Sequence, residues 1–186
     1  MTAMTTELAP GVSAVTGIAN PARPHRVSLD DPSLYAWRAF LHAHARLTRR
    51  LDEELQVTHG LSLAEYDALV QLALAPERRL RMSALADRVL LSRSGVTRLV
   101  DRLVADGMVE RTACETDARG ADASLTEAGL FRLREASGTH LGGIHHYFLE
   151  MISADDQGAI ARGLSAVVDG LNDQTATERA IVEADA

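Results

Sequence analysis

The sequence predicts a mainly α-helical protein in which a helix-turn-helix is followed by a β-hairpin and flanked by longer helices. Three observations lead there. A basic helix beginning at Ser92 carries its apolar residues at i, i+3, i+4, i+7 and i+8. Two short helical segments precede it. Two strand-like segments around a polar loop follow it, separated by a glycine stop.

The composition sets the limits. The 186 residues hold 46% hydrophobic side chains, enough for a real core in one domain or two small ones. No apolar run approaches the roughly 20 residues that cross a bilayer, and no basic start precedes an apolar segment, so neither membrane span nor signal peptide is expected and the cytoplasm is the default compartment. The lone Cys114 cannot form an internal disulfide or a multi-cysteine zinc cluster. All 19 basic residues are arginine, a bias that with the abundant alanine points to a high-GC bacterial genome. The net charge of −7 argues against a nucleic-acid partner only if charge is uniform, and it is not. Residues 76–119 hold nine arginines against seven acids, so the acid lies elsewhere.

In chain order, residues 1–30 show no sustained period and read as a mobile tail. Asp31 caps and Pro32 opens a helix on which Leu34, Trp37, Leu41, His44, Thr48, Leu51 and Leu55 alternate by three and four. This heptad seam, six turns or so long, is expected to meet a second copy of the chain through Leu34, Leu41, Leu51 and Leu55. The SLAE at 62–65 is a capping box that opens the next helix, to about Ala75. A loop, PERRLRM, leads to a short helix at 83–90. The basic helix follows, with Val96, Leu99, Val100, Leu103 and Val104 inward, and Asp106-Gly107 stops it. MVERT at 108–112 and ADASL at 121–125 form a hairpin around ACETDARG. Thr126 caps a long helix to about Met151. SADD at 153–156 starts a last one to about Leu171, and residues 172–186 read as a frayed tail. Residues 31–60 and 126–171 thus form a helical dimerisation region and 61–125 a winged helix-turn-helix.

On the basic helix, Ser94, Thr97, Arg98 and Asp101 point away from the core, with Arg93 beside them. A helix starting on Ser92 presents free amides to a phosphate, and the forks of Arg93 and Arg98 match guanine O6 and N7. Arg93, Ser94, Thr97 and Arg98 are therefore expected in a DNA major groove, with Ser92 at the helix start also among the DNA-binding residues. Gly95 lacks a side chain where the backbone comes close. At the wing tip, Arg119 suits a narrow minor groove. Asp117, repelled by phosphate, is expected to pair with Arg111 at the wing base and shape the loop.

The stretch from about Leu61 to Gly129 resembles the MarR family of bacterial winged-helix regulators. The marks are Leu85-Ala86 in the preceding helix, SRSGVTRLVDRL, the wing entry Gly107, Val109 and Arg111, the tip Asp117 and Arg119, and the exit Leu125, Thr126 and Gly129. The long first helix and the last two extend the resemblance to about residues 32–171. It implies a homodimer on a pseudo-palindromic operator in double-stranded DNA, usually a repressor released by a small ligand. It also implies a cleft lined by the first two helices, where Trp37, Phe40 and Tyr66 are candidates for an aromatic effector pocket, with core packing as the competing role. The chain departs from the family in Gly120, Ala121, Asp122 and Ala123, which suggest a short or loosely paired second wing strand. The alternative function is a winged-helix dimer acting through protein partners with little DNA binding.

No enzymatic constellation stands out: there is no nucleophile with its base, and GTHLGG is not a phosphate loop. His42 and His44 lie on opposite sides of their helix, and His145 and His146 about 100° apart, so neither pair chelates. His140 and His44 could meet across a helix packing, but structural or solvated histidines are the expected reading, with no cofactor and no metal. Cys114 has only Arg111 nearby to lower its pKa and is expected to be inert.

Overall fold

The computed structural model describes the backbone of residues 31–114 and 117–184, and within these spans the side chains of all but Ser33, residues 113–119 and residues 175–184. The expectations for residues 1–30, and for the side chains of Cys114, Asp117 and Arg119, fall outside it. The elements are α1 (Tyr35–His59), α2 (Leu63–Ala73), β1 (Arg79–Arg81), α3 (Met82–Arg88), α4 (Arg93–Ala105), β2 (Val109–Cys114), β3 (Asp117–Leu125), α5 (Glu127–Tyr147) and α6 (Ala154–Ala184), with 3-10 turns at Pro32–Leu34, Pro76–Arg78 and Leu149–Met151. This matches the mainly helical, winged class expected from the sequence. By its contacts the chain divides into two units, residues 1–41 and 42–186. In the first, Tyr35, Trp37, Phe40 and Leu41 are exposed on the opening turns of α1, with the Trp37 and Phe40 ring centroids 6.0 Å apart.

The second unit is built on one core. Leu55, Leu61, Leu69, Leu72, Leu85, Val96, Leu99, Val100, Leu103 and Val109 are its largest fully buried side chains. Local chemistry places the helices that supply them. Gly60, at φ +64°, ends α1, a conformation that costs glycine nothing. The capping box forms as expected: Glu65 N donates to Ser62 Oγ at 3.2 Å and Ser62 N to Glu65 Oε2 at 2.9 Å. Asp52 of α1 adds a further cap, accepting from Leu63 N at 2.7 Å. Gly107, at φ +71°, stops α4 and lets Met108 N reach back to Leu103 O at 2.9 Å.

Glu65 sits 8% exposed in this core. Burial alone would raise its pKa, but the hydrogen bonds from Arg102 and from Ser62 outweigh it and hold the carboxyl below the ordinary 4.5. A depressed folded value means that Glu65 contributes stability above the unfolded pKa, and that this contribution is lost as pH falls through the folded one. Glu65→Gln is therefore expected to flatten the decline in urea midpoint between about pH 5 and about pH 3. Equal slopes for both proteins would show that the carboxylate contributes nothing to the acid response.

Several expectations need correction. Leu51 and Leu55 do not form an open seam. They are 8% and 0% exposed within a single chain, because the side of α1 that carries them packs on the chain's own core. Of the other two seam residues, Leu34 is half-buried and Leu41 is 44% exposed. Part of the PERRLRM loop is a strand: β1 pairs with β3, Leu80 opposite Ala123, to give an antiparallel sheet in the order β1-β3-β2. The second wing strand is neither short nor loose. β3 runs nine residues as the central strand, and its small Ala123 is fully buried where the strand packs against α2 and α3. Finally, α6 continues to Ala184, well past the expected end at Leu171, since no proline or glycine interrupts residues 172–184.

Candidate nucleic-acid interface

α4 is the centre of the site. Ser92 caps it, its Oγ accepting from Gly95 N at 3.1 Å and lying 3.2 Å from Ser94 Oγ. Val96, Leu99, Val100 and Leu103 fix one side in the core. The opposite side leaves Arg93, Ser94, Arg98 and Asp101 exposed, while Thr97 is half-buried and spends its hydroxyl proton on Arg93 O at 2.9 Å. Thr97 and Ser92 can still accept from a partner, but their first duty is to the helix itself. A Cβ at Gly95 would lie 3.2 Å from Ser92 Oγ, so a side chain there would need the capping hydroxyl to give by a few tenths of an ångström.

The arginines fall into two groups. Arg102 donates to Glu65 at 2.8 Å, tying α4 to the start of α2. Arg111, on β2, donates to Asp101 Oδ1 at 2.9 Å and so joins the wing to the exposed side of α4. The pairing expected between Arg111 and Asp117 lies outside the described side chains; the described partner of Arg111 is Asp101, which faces β2 from one turn beyond Arg98. Arg93 and Arg98, by contrast, make no ion pair among the described residues. The result is a polar strip on which Asp101 is already engaged and Arg93 and Arg98 stand exposed.

Sequence reasoning missed both of these ion pairs. Their only signal is opposite charge at separations of 37 and 10 residues, which no periodicity marks. The backbone of Arg119 and Asp117 lies on β3, toward the hairpin end.

The aromatic candidates separate. Trp37 is 56% exposed and Phe40 38% exposed. Tyr66 is 5% exposed, with its hydroxyl donating to Ser137 Oγ at 3.3 Å and its ring 4.4 Å from that of His140. Tyr66 thus takes the core role. Burial holds the His140 pKa below the usual 6.5, opposed by the Asp67 carboxylate, so the imidazole on Tyr66 is neutral at physiological pH. His145 and His146 both turn to Glu150, at 3.2 and 3.0 Å. His42 and His44 stand exposed on α1.

Known proteins share this arrangement. The MarR family model matches residues 59–120, from the end of α1 into β3. A MarR family transcriptional regulator of Streptomyces coelicolor, Sco3205, solved in complex with DNA, is 33% identical with a TM-score of 0.69, covering 73% of this chain and 88% of that one. AbsC, from the same organism, is 31% identical with a TM-score of 0.71 over 78% of this chain and 97% of its own. The HTH-type transcriptional regulator PrsX of Escherichia coli is 30% identical over 110 residues, 58% of this chain and 66% of that relative, so the chain spans just under two thirds of its length. With identity above 30% across most of two solved relatives, the chain belongs to the MarR family of transcriptional regulators.

Proposed function

We propose that this protein represses transcription by binding a pseudo-palindromic operator as a homodimer, α4 entering the major groove and the wing reaching the adjacent minor groove. The observation that carries the reading is the exposed strip of α4, where Arg93, Ser94 and Arg98 project and Asp101 is already engaged by Arg111. A fork-shaped donor there suits a guanine edge, and the capped helix start suits a phosphate. Residues 61–125 would supply the DNA-binding part.

For the homodimer, support comes from α6. Ile160, Leu164, Val167, Val168 and Leu171 form one apolar stripe of three-and-four spacing, and all five are exposed in the single chain. Regions 31–60 and 126–171 would form the dimer, with α6 contributing the open stripe and α1 its outer side rather than Leu51 and Leu55. Release by a small aromatic effector is supported only by the exposed Trp37–Phe40 pair. Action through protein partners instead of DNA loses one of its supports, because the second wing strand is long and doubly paired.

Selection of bound duplexes from a random pool tests the reading. It is expected to enrich two half-sites about one helical turn, roughly 10 base pairs, apart. Arg98→Ala should then cost about 1–3 kcal/mol on the enriched duplex and relax preference at one position per half-site. No enrichment, or unchanged affinity and preference in the variant, would sink the assignment.

A further inference from the structure

Between the start of α4 and the wing lies a cleft of about 330 Å³, lined among others by Arg81, Ser83, Arg93, Thr97, Gly120 and Ala121. Arg93 stands on the α4 side. Arg81 is the last residue of β1, and Gly120 and Ala121 are the wing side, on β3. Gly120 and Ala121, two of the four residues that depart from the family pattern, line this gap with small side chains. A protein that puts a helix in one groove and a wing in the next must let the sugar-phosphate strand dividing the grooves pass between them. The cleft offers such a course between α4 and the wing, with Arg93 on one side and Arg81 on the other.

We propose that this cleft is a seat for one phosphodiester strand, in which Arg81 with Arg93 neutralises phosphate without reading base sequence. The assignment rests on the DNA-binding reading above and adds to it a residue outside the recognition helix. A strand held here is approached from its backbone, so the contact fixes register and orientation and supplies affinity equally on every sequence. Asp122 stands opposite Arg81 in the β1–β3 register, with Oδ1 buried and without a hydrogen-bond partner among the described residues.

The test uses a fluorescently labelled, mixed-sequence duplex of about 30 base pairs, titrated by anisotropy from about 50 to about 200 mM salt. Arg81→Ala is expected to weaken binding and to lower the slope of log affinity against log salt by about 0.9 for each protomer engaged. Arg81→Lys should restore the slope, because the charge returns. Ala121→Phe should weaken binding without removing any charge, by filling the seat. Thermal melts of each variant check that the fold is retained. Wild-type affinity and slope in Arg81→Ala overturn the seat and leave DNA binding standing. A loss that Arg81→Lys does not repair shows a structural role and also overturns it. Failure of the wild-type protein to bind the duplex even at the lowest salt removes the DNA reading and the seat together.

Discussion

Gly129→Ala is expected to be among the most damaging single-methyl changes in this chain. A Cβ at Gly129 would lie 2.1 Å from Met108 O, 2.9 Å from Met108 C and 2.8 Å from Leu125 Cδ1. The first two atoms are backbone, so no side-chain rotation relieves the contact, and α5 must lift away from the wing entry. That movement would break the bonds by which Thr126 joins the two elements: its N to Met108 O at 3.1 Å and its Oγ1 to Gly107 O at 2.8 Å. The expected cost is about 3 kcal/mol or more, the upper range for overpacking. Urea denaturation followed by circular dichroism measures it. A loss below about 1 kcal/mol would mean that the helix start yields easily and that the close approach is not required. Since Met108 leads directly into β2, a folded remnant should also show a displaced wing and weakened duplex binding.

Leu55→Glu should abolish the folded state, whereas Val168→Glu should give a folded monomer. Leu55 is fully buried among the chain's own core residues, and a carboxylate has no compensating partner at a position built for a leucine. Next to it, Leu51 packs so closely on α5 that a Cβ on Gly143 would come within 2.6 Å of its Cδ2. Val168 is 54% exposed on the α6 stripe, where a charge meets water in the single chain and is desolvated only in a dimer. Sedimentation and thermal melting distinguish the outcomes. A folded, monomeric Leu55→Glu variant would put the dimer seam back on that side of α1. A fully dimeric Val168→Glu would remove α6 from the proposed interface.

These two positions show where sequence reading reached its limit. The three-and-four spacing from Leu34 to Leu55 identifies a buried side of a helix, but not whether the chain's own α5 or a second copy does the burying. The spacing is the same in both cases. Features set by neighbouring residues were legible: the Ser62–Glu65 capping box, the Gly107 stop, the Ser92 cap and the inward side of α4 all depend on residues within a few positions of one another. What required the fold was chemistry across distance. The Arg111–Asp101 and Arg102–Glu65 pairs join separate elements, and β1 is a three-residue strand whose alternation of arginine, leucine and arginine is too short to read as one. Its pairing sets Leu80 opposite the small, fully buried Ala123 of β3.

The strand order β1-β3-β2 also shapes how the molecule is assembled in time. β2 and β3 join as a hairpin between residues close in sequence, so that pairing can form locally and early. β1 and β3 bring together Leu80 and Ala123, about forty residues apart, which costs roughly 2 kcal/mol more in loop-closure entropy than the hairpin. That closure is repaid only when α3 and α4, which lie between the two strands in sequence, are already packed. The edge that carries Arg81 is then a late arrival on the folding pathway, held by three residue pairs. By the same reasoning it is among the first elements to open in brief local unfolding, when an amide there would exchange with solvent before those of the core helices. A nascent or partly opened chain would keep its helical core and lose its finished wing, so competence to hold a strand would track completion of the fold rather than the mere presence of the recognition helix.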